Sequence, residues 1–314
     1  MTCHNCQLKA VKAGKDRKGN QRYRCDRCKR RFQAEREKLL GNMYLPEEKA
    51  LLVLRLLLEG NSIRSIERIT GIEKKTITSV LLLAGERCED LMNEKIRSVA
   101  VRDVEADEIW AFVRMKKITR LHKGVTDPMV GDAYTFVGME RNTKLVLAWH
   151  LGRRDAPNCE AFTEKLDRAT SGHFQLTTDG FQAYFDAVAY SLGTRVDYAQ
   201  LIKVYGKNDH EGEQKYSPPE VVDTVTKPLI GYPEPHRICT SIVERGNLSI
   251  RTSIRRLTRL TNAFSKKWEN LRAALALYFA YYNFCRIHSS IRCTPAMESG
   301  LTEHVWTLRD LLAA

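Results

Sequence analysis

Hydrophobic positions follow two rhythms along this chain. Between residues 45 and 91 the spacing is helical. Leu51, Leu52, Leu54, Leu56, Leu57 and Leu58 form a broad apolar stripe behind Pro46, which suits a first helical turn ahead of Glu47 and Glu48. Gly60-Asn61 ends that helix, Ser62 is placed to cap a second over 63–70, and Gly71 turns into a third over 73–91. A polar stretch, 92–103, reads as a linker. From residue 104 the rhythm becomes alternation, predicting strands over 104–113, 133–140 and 144–151, with a turn at Arg141-Asn142-Thr143. An amphipathic helix over 157–169, a strand over 175–179, a helix over 181–192 and a strand over 196–204 follow. Residues 206–240 have no strong period and read as a long loop. Two helices close the pattern, at 241–260 and 268–284.

Three antiparallel strands followed by helix, strand, helix, strand is the order of a ribonuclease-H-like sheet. A short helix, a glycine turn and a second helix is a helix-turn-helix pattern. In that arrangement the start of the third helix offers Lys74, Lys75, Thr76, Thr78 and Ser79 to a groove. The plainer expectation is a helical bundle joining two domains.

Composition sharpens this picture. The 314 residues carry a net charge of +13, which points to a polyanionic partner, most often nucleic acid. The chain has no run of 18 apolar residues and no secretory leader, so no membrane partner and an intracellular location are expected. Nine cysteines in such a setting favour metal binding or plain burial over disulfides. Cys3-x2-Cys6 and Cys25-x2-Cys28, 18 residues apart, have the spacing of a zinc ribbon, in which four thiolates hold one structural Zn²⁺. His4, inside the first pair, reads as a bystander, and Gly14 and Gly19-Asn20 supply turns. Residues 9–38 hold thirteen basic and four acidic side chains, so this module should touch phosphates.

Two carboxylates, Asp107 and Glu108, interrupt the first strand of the second half. Neighbours on a strand point to opposite faces, so only one of them should serve a given site. Asp179 lies at the end of a later strand, where open sheets place their sites. Glu244 opens the helix after the long loop. Acids brought together repel unless cations sit among them, and such a set suits two Mg²⁺ (or Mn²⁺) ions about 4 Å apart in phosphoryl transfer. Seven basic residues and no acidic one lie between 245 and 267. Arg251 and Arg255 are expected to continue the row from Glu244 and grip phosphates. Taken singly, each acid is equally a solvated surface residue or a helix-cap charge.

Asp107-Glu108-Ile109-Trp110, Thr178-Asp179-Gly180-Phe181-Gln182-Ala183-Tyr184 and Val243 through Arg251, extended by Asn262-Ala263-Phe264-Ser265-Lys266, resemble the DDE transposases of bacterial insertion sequences, of the insertion-sequence-one type. The resemblance covers nearly the whole chain. It implies that Asp107, Asp179 and Glu244 are a catalytic triad, with Asp107 favoured over Glu108. It also implies that the N-terminal modules bind terminal inverted repeats. The partners would be double-stranded transposon-end and target DNA, bound by a homo-oligomer in a prokaryotic, nucleoid-associated setting. Relatives can show His-Asn after Glu-Arg; this chain has Gly246-Asn247. The tail from Tyr281 to Ala296 resembles integrase-like transposases more broadly; its Cys285, His288 and Cys293 could form a second metal site, but no fourth ligand is evident and the aromatic context favours packing.

The expected fold is therefore a multidomain α+β chain. A zinc ribbon (1–40) and a helix-turn-helix domain (41–91) precede the linker. The ribonuclease-H-like α/β catalytic domain (104–314) carries an insertion loop, 206–240, and C-terminal helices. Two other functions fit the same residues: a zinc-ribbon regulator with an inert nuclease-like domain, and a nuclease that cuts without joining.

Overall fold

Strands too short to bury a core govern the first residues. β1 (Val11–Lys15), β2 (Gln21–Arg24) and β3 (Arg31–Gln33) form an antiparallel sheet in that order. Tyr23 stacks on Phe32 across it, with ring centroids 6.1 Å apart. Little else is apolar and buried beyond Cys3, Ala10 and Cys25. A module this small needs a staple of another kind. This computed structural model describes residues 1–3, 5–16, 21–33, 39–41, 43–206 and 221–313. His4, the Gly19-Asn20 turn and much of the expected insertion loop lie outside the described residues. The described chain forms two compact units, Met1–Tyr44 and Leu45–Ala314.

The second unit opens with α1 (Glu47–Leu58), α2 (Ile63–Thr70) and α3 (Lys74–Lys95). The caps are local. Ser62 Oγ accepts from the Ser65 amide at 3.1 Å, and Gly71 takes a left-handed conformation that returns its amide to Glu67. The expected linker is not one. α3 runs on to Lys95, and Met92, Ile96 and Val99 are buried. The reason is tertiary: α3 lies along α8 (Trp268–Phe284) so closely that a Cβ on Gly85 would sit 2.4 Å from the Ala273 Cα. The helices at 45–95 therefore share a core with the sheet and do not form a domain of their own.

Beyond α3, β4 (Val99–Ala100) leads into β5 (Asp103–Val113). Then come α4 (Lys117–His122), β6 (Gly131–Glu140), β7 (Val146–Gly152), α5 (Ala156–Ala169), β8 (Thr170–Ser171), β9 (Phe174–Thr178), α6 (Ala183–Ser191) and β10 (Val196–Tyr205). β4 pairs with β8 alone. The main sheet is mixed, in the order β11-β10-β9-β5-β6-β7, where β11 is Val221–Ile230. β5, β6 and β7 are antiparallel, β9 is parallel to both β5 and β10, and β11 is antiparallel to β10. The β6–β7 turn falls where Arg141-Asn142-Thr143 predicted it: Glu140 accepts from the Asn142 amide at 2.8 Å and from the Thr143 hydroxyl.

Part of the expected insertion loop is thus a strand. Val221, Val222 and Val225 among Asp223, Thr224, Thr226 and Lys227 suit an exposed edge, and Pro228 is tolerated there because an edge strand has a free side. The expected helix over 241–260 is also shorter. α7 (Ser241–Ser253) stops at Ile254, and a single 3₁₀ turn, Arg255–Leu257, follows. α9 (Pro295–Glu298) and α10 (Leu308–Ala313) complete the chain. Asn283 on α8 both donates to and accepts from the backbone of Val146, tying that helix to β7. Among the described residues no helix is long and apolar enough to cross a membrane.

The two faces of the sheet differ. Phe136 on β6 packs against Phe162 of α5 and Tyr184 of α6. Phe136 pairs with Glu108, so Glu108 shares that face. On the other face lies α7, whose Gly246 meets the Met139 sulfur; a Cβ there would come within 2.8 Å of it. Met139 pairs with Glu105, which with Asp107 belongs to the α7 face.

Candidate metal centres

Four sulfurs come together in the first unit. Cys3 Sγ lies 3.7 Å from Cys6 and 3.6 Å from Cys28, and Cys6 lies 3.6 Å from Cys25. Zn–S bonds of about 2.3 Å in a tetrahedron put sulfurs roughly 3.8 Å apart, whereas a disulfide would bring two of them to about 2.0 Å. The four thiols are free and fit a zinc ion. Both knuckles are built alike. The residue after each second cysteine, Gln7 and Lys29, has φ of 56°, a left-handed turn that folds the chain back around the sulfurs. The Arg30 amide donates toward Cys28 and lowers its pKa, while the neighbouring sulfurs, Cys28 first, raise that of Cys6, as expected of thiols crowded together.

The second cluster is acidic. Asp107, Glu108 and Asp179 each offer a carboxylate oxygen, all within 4.8 Å of one another. The strands bring them there. β5 and β9 run parallel with Ala106 beside Thr178, so Asp179, one residue past the end of β9, emerges next to Asp107. Asp179 Oδ1 accepts from the Phe181 amide at 3.0 Å, and a Cβ on Gly180 would press on Ile202 at 3.1 Å. The Asp-Gly-Phe sequence therefore makes a tight turn that aims the carboxylate.

Alternation on β5 predicted that only one of its two acids would face this site; carboxylate oxygens of both lie within 4.8 Å of one from Asp179. Asp107 bends back to accept from the Glu108 amide at 2.8 Å, which keeps its carboxylate close to the backbone. Glu108 approaches from the α6 face. Asp179 lies at the strand ends, where the two faces meet.

Burial is the first cause of the electrostatics. It pushes the Asp107 carboxyl up to about 6, with the charges of Asp179 and Glu244 adding to the rise. It pushes Glu108 up to about 7, with Asp179 again adding. The Glu108 side chain is only 3% exposed, and the buried Tyr184 hydroxyl hydrogen-bonds to it and opposes the rise. Three carboxylates this close offer oxygen ligands that suit a divalent cation. Protein cations already offset part of this charge. Arg154 donates to Glu108 and to Asp179, each at 3.0 Å, while stacking on Phe181 at 4.2 Å.

Glu244 occupies the first turn of α7 but not the close cluster. Lys203 Nζ donates to it at 2.6 Å, and so does the Thr240 hydroxyl. It still contributes to the field at Asp107. Asn247, one turn further, donates to Asp107 at 2.8 Å. The start of α7 is fixed by Glu105, whose buried carboxylate accepts from the amides of Ile242 and Val243 at 2.8 and 3.0 Å. A strand residue thus caps two orphan amides of the helix that carries Glu244.

No protein-family model and no curated protein matches the chain. The remaining predicted residues are placed by geometry alone. Lys74 and Lys75 are exposed at the start of α3, Thr76 is half-buried, and the Ser79 and Thr78 hydroxyls are spent on backbone carbonyls of their own helix. Lys74 also lies 3.6 Å from Glu67. Arg251 is half-buried and donates to the Leu257 carbonyl at 3.2 Å. Arg255 does not continue its row: α7 has ended, and the 3₁₀ turn re-aims it. Cys285, His288 and Cys293 are not among the described groups close enough to share a metal.

Four contributors were not singled out from sequence: Glu105, Arg154, Lys203 and, as a donor to Asp107, Asn247. Arg154 carried a weak signal, a second arginine just past a predicted strand. Lys203 carried none, because its partner is 41 residues away.

Proposed function

We propose that this chain is a metal-dependent DNA strand transferase of the DDE transposase type, with a zinc ribbon and a helix-turn-helix reading defined DNA ends. The observation that carries the proposal is the meeting of Asp107 and Glu108, in the middle of β5, with Asp179 just past the end of the adjoining β9. The strand order β7-β6-β5-β9-β10 supports a ribonuclease-H-like catalytic domain. The basic first unit with its four thiols, and the α2–Gly71–α3 pattern, support the two DNA-reading modules.

In this reading Asp107 and Asp179 would hold the cation, and Glu108 would add a third carboxylate oxygen. A divalent ion held there lowers the pKa of water and offsets charge on the phosphate and leaving oxygens. Asn247 fixes the orientation of Asp107. Arg154 balances Glu108 and Asp179 and lies beside the point where a phosphate would enter. Glu244 stands at the head of α7 to complete the ligand set for a second ion, which requires it to leave Lys203.

The Glu244–Lys203 pair also favours a second reading, a DNA-binding regulator whose nuclease-like domain is inert. One experiment separates the readings. The purified chain is incubated with Mg²⁺ and the genomic DNA flanking its gene, and nicked and joined products are scored. A strand transferase gives both, a nuclease gives nicks alone, and a regulator binds without either product.

A further inference from the structure

A second concave region of the larger unit is basic. A cleft of about 920 Å³ opens between the α1–α2 turn, the start of α3, the 254–266 segment and α8. Five cations line it, Arg64, Lys74, Arg255, Arg256 and Lys266, and no acidic residue does. Two residues that the sequence assigns to different modules, Lys74 and Arg255, reach the same cleft. The Asn262-to-Lys266 segment supplies much of its wall.

Four of the five cations are uncompensated. Lys74 has Glu67 at 3.6 Å, but among the described residues Arg64, Arg255, Arg256 and Lys266 form no ion pair. Some arginines elsewhere in this unit are paired: Arg154, Arg195, Arg237 and Arg272 each touch a carboxylate. Arg256 is the clearest case. Its Nη1 donates to Ser265 Oγ at 3.2 Å, its Nη2 is buried with no partner, and burial alone draws its pKa down to about 10. Asn270, also in the wall, has a buried carbonyl oxygen with no partner. A buried cation without an anion is costly, so an anion brought from outside would find its site already charged.

Size and surface narrow the choice. The volume falls in the usual range for small ligand sites, about 300–1,000 Å³. A space of this volume, roughly 10 Å on a side, is smaller than the cross-section of a whole double helix, whose major groove alone is about 12 Å wide, so it suits a single strand. Apolar Leu57, Ile63 and Leu260 lie among the cations and offer contact to bases. Phe264 is not free for stacking, since Lys266 Nζ covers its ring at 3.5 Å and Phe112 packs against it at 4.8 Å.

We infer that this cleft binds an unpaired segment of a DNA strand, with Arg64, Arg255, Arg256 and Lys266 holding its phosphates. The inference rests on the strand-transferase reading for the choice of DNA, and it adds a place where a strand leaves the duplex. The test uses the full chain, zinc retained, and anisotropy of a labelled oligothymidine and of a labelled duplex across a salt series. The variant is Arg255→Gln with Lys266→Gln. Both side chains are exposed, so the fold is kept. The expected result is weaker oligothymidine binding, with a log–log salt slope shallower by about 1.4 for two lost phosphate contacts on a single strand. Duplex affinity should stay the same. Unchanged affinity and slope for the single strand overturn the inference, as does an equal loss for the duplex. Displacement of the strand by an equimolar deoxynucleoside monophosphate overturns it in favour of a free-nucleotide site. Tighter binding of the matching oligouridine overturns the assignment to DNA. Failure of the catalytic reading registers separately, as an absence of Mg²⁺-dependent nicks with the wild-type chain.

Discussion

The carboxylate cluster and the basic cleft belong to the same compact unit but handle charge in opposite ways. At the cluster, two of the three acids touch an arginine, and nearby Glu244 touches a lysine. In the cleft four of five cations touch no acid among the described residues. The difference follows from what each region does before a ligand arrives. Clustered carboxylates raise one another's proton affinity, and Arg154 opposes that rise at Glu108 while bridging it to Asp179. Arginines need no such help to stay charged, so those in the cleft can be left unpaired. The two regions together suit a polyanion whose reactive phosphate meets the acids through a metal and whose backbone meets the cations directly.

Removing the internal cation should break the comparison most sharply. Arg154→Ala leaves Glu108 and Asp179 facing each other. With Arg154 partly exposed, we expect a loss of about 2 kcal/mol at pH 8 without divalent metal, measured by urea unfolding. Mg²⁺ should restore most of it by replacing the lost charge. An Arg154→Ala protein that unfolds like wild type in both conditions would mean that the arginine does not balance the cluster.

A comparable loss should come from the helix that carries Glu244. Glu105→Ala leaves the amides of Ile242 and Val243 without an acceptor and should cost about 1–2 kcal/mol. Glu105→Gln keeps an accepting oxygen and should cost well under half of that. Equal losses for the two would place the effect in the charge of Glu105 and not in its hydrogen bonds.

The pH dependence of metal binding sharpens the contrast at smaller amplitude. Asp107 and Glu108 have their pKa values raised in the folded chain, to about 6 and about 7. The folded chain thus holds their protons to higher pH than the unfolded one, and the stability tied to these groups falls as pH rises through that window. Mg²⁺ takes the ionised form. It should therefore raise the melting temperature at pH 8 and lose this effect near pH 5. An equal shift at both pH values would place the bound ion elsewhere.

What was legible in the sequence was local. The Ser62 cap, the Gly71 turn, the Arg141-Asn142-Thr143 turn, the two cysteine pairs and the exit of Asp179 from its strand each depend on a few neighbouring residues. What was missed depends on residues far apart. The expected linker at 92–103 continues α3 and anchors through buried Met92, Ile96 and Val99, and the close seat of α3 on α8 rests on Gly85 admitting Ala273, a partner 188 positions away that no local pattern announces. Glu108 was set aside by a sound rule, the alternation of faces along a strand. The two acids do lie on opposite faces, but Asp179, just past the end of β9, is within reach of both. Arg251 and Arg255 were aligned on one helix, and nothing in the periodicity marked the stop at Ser253.

The most direct test of the central claim compares wild type with Asp107→Asn and Asp179→Asn in single-turnover cleavage of its own end DNA in Mg²⁺, with every protein at saturating concentration. The account predicts that DNA affinity is unchanged in both variants, because the basic surfaces are intact, and that nicking and joining fall to background. Near-wild-type nicking by either variant would remove that carboxylate from the site and contradict the account.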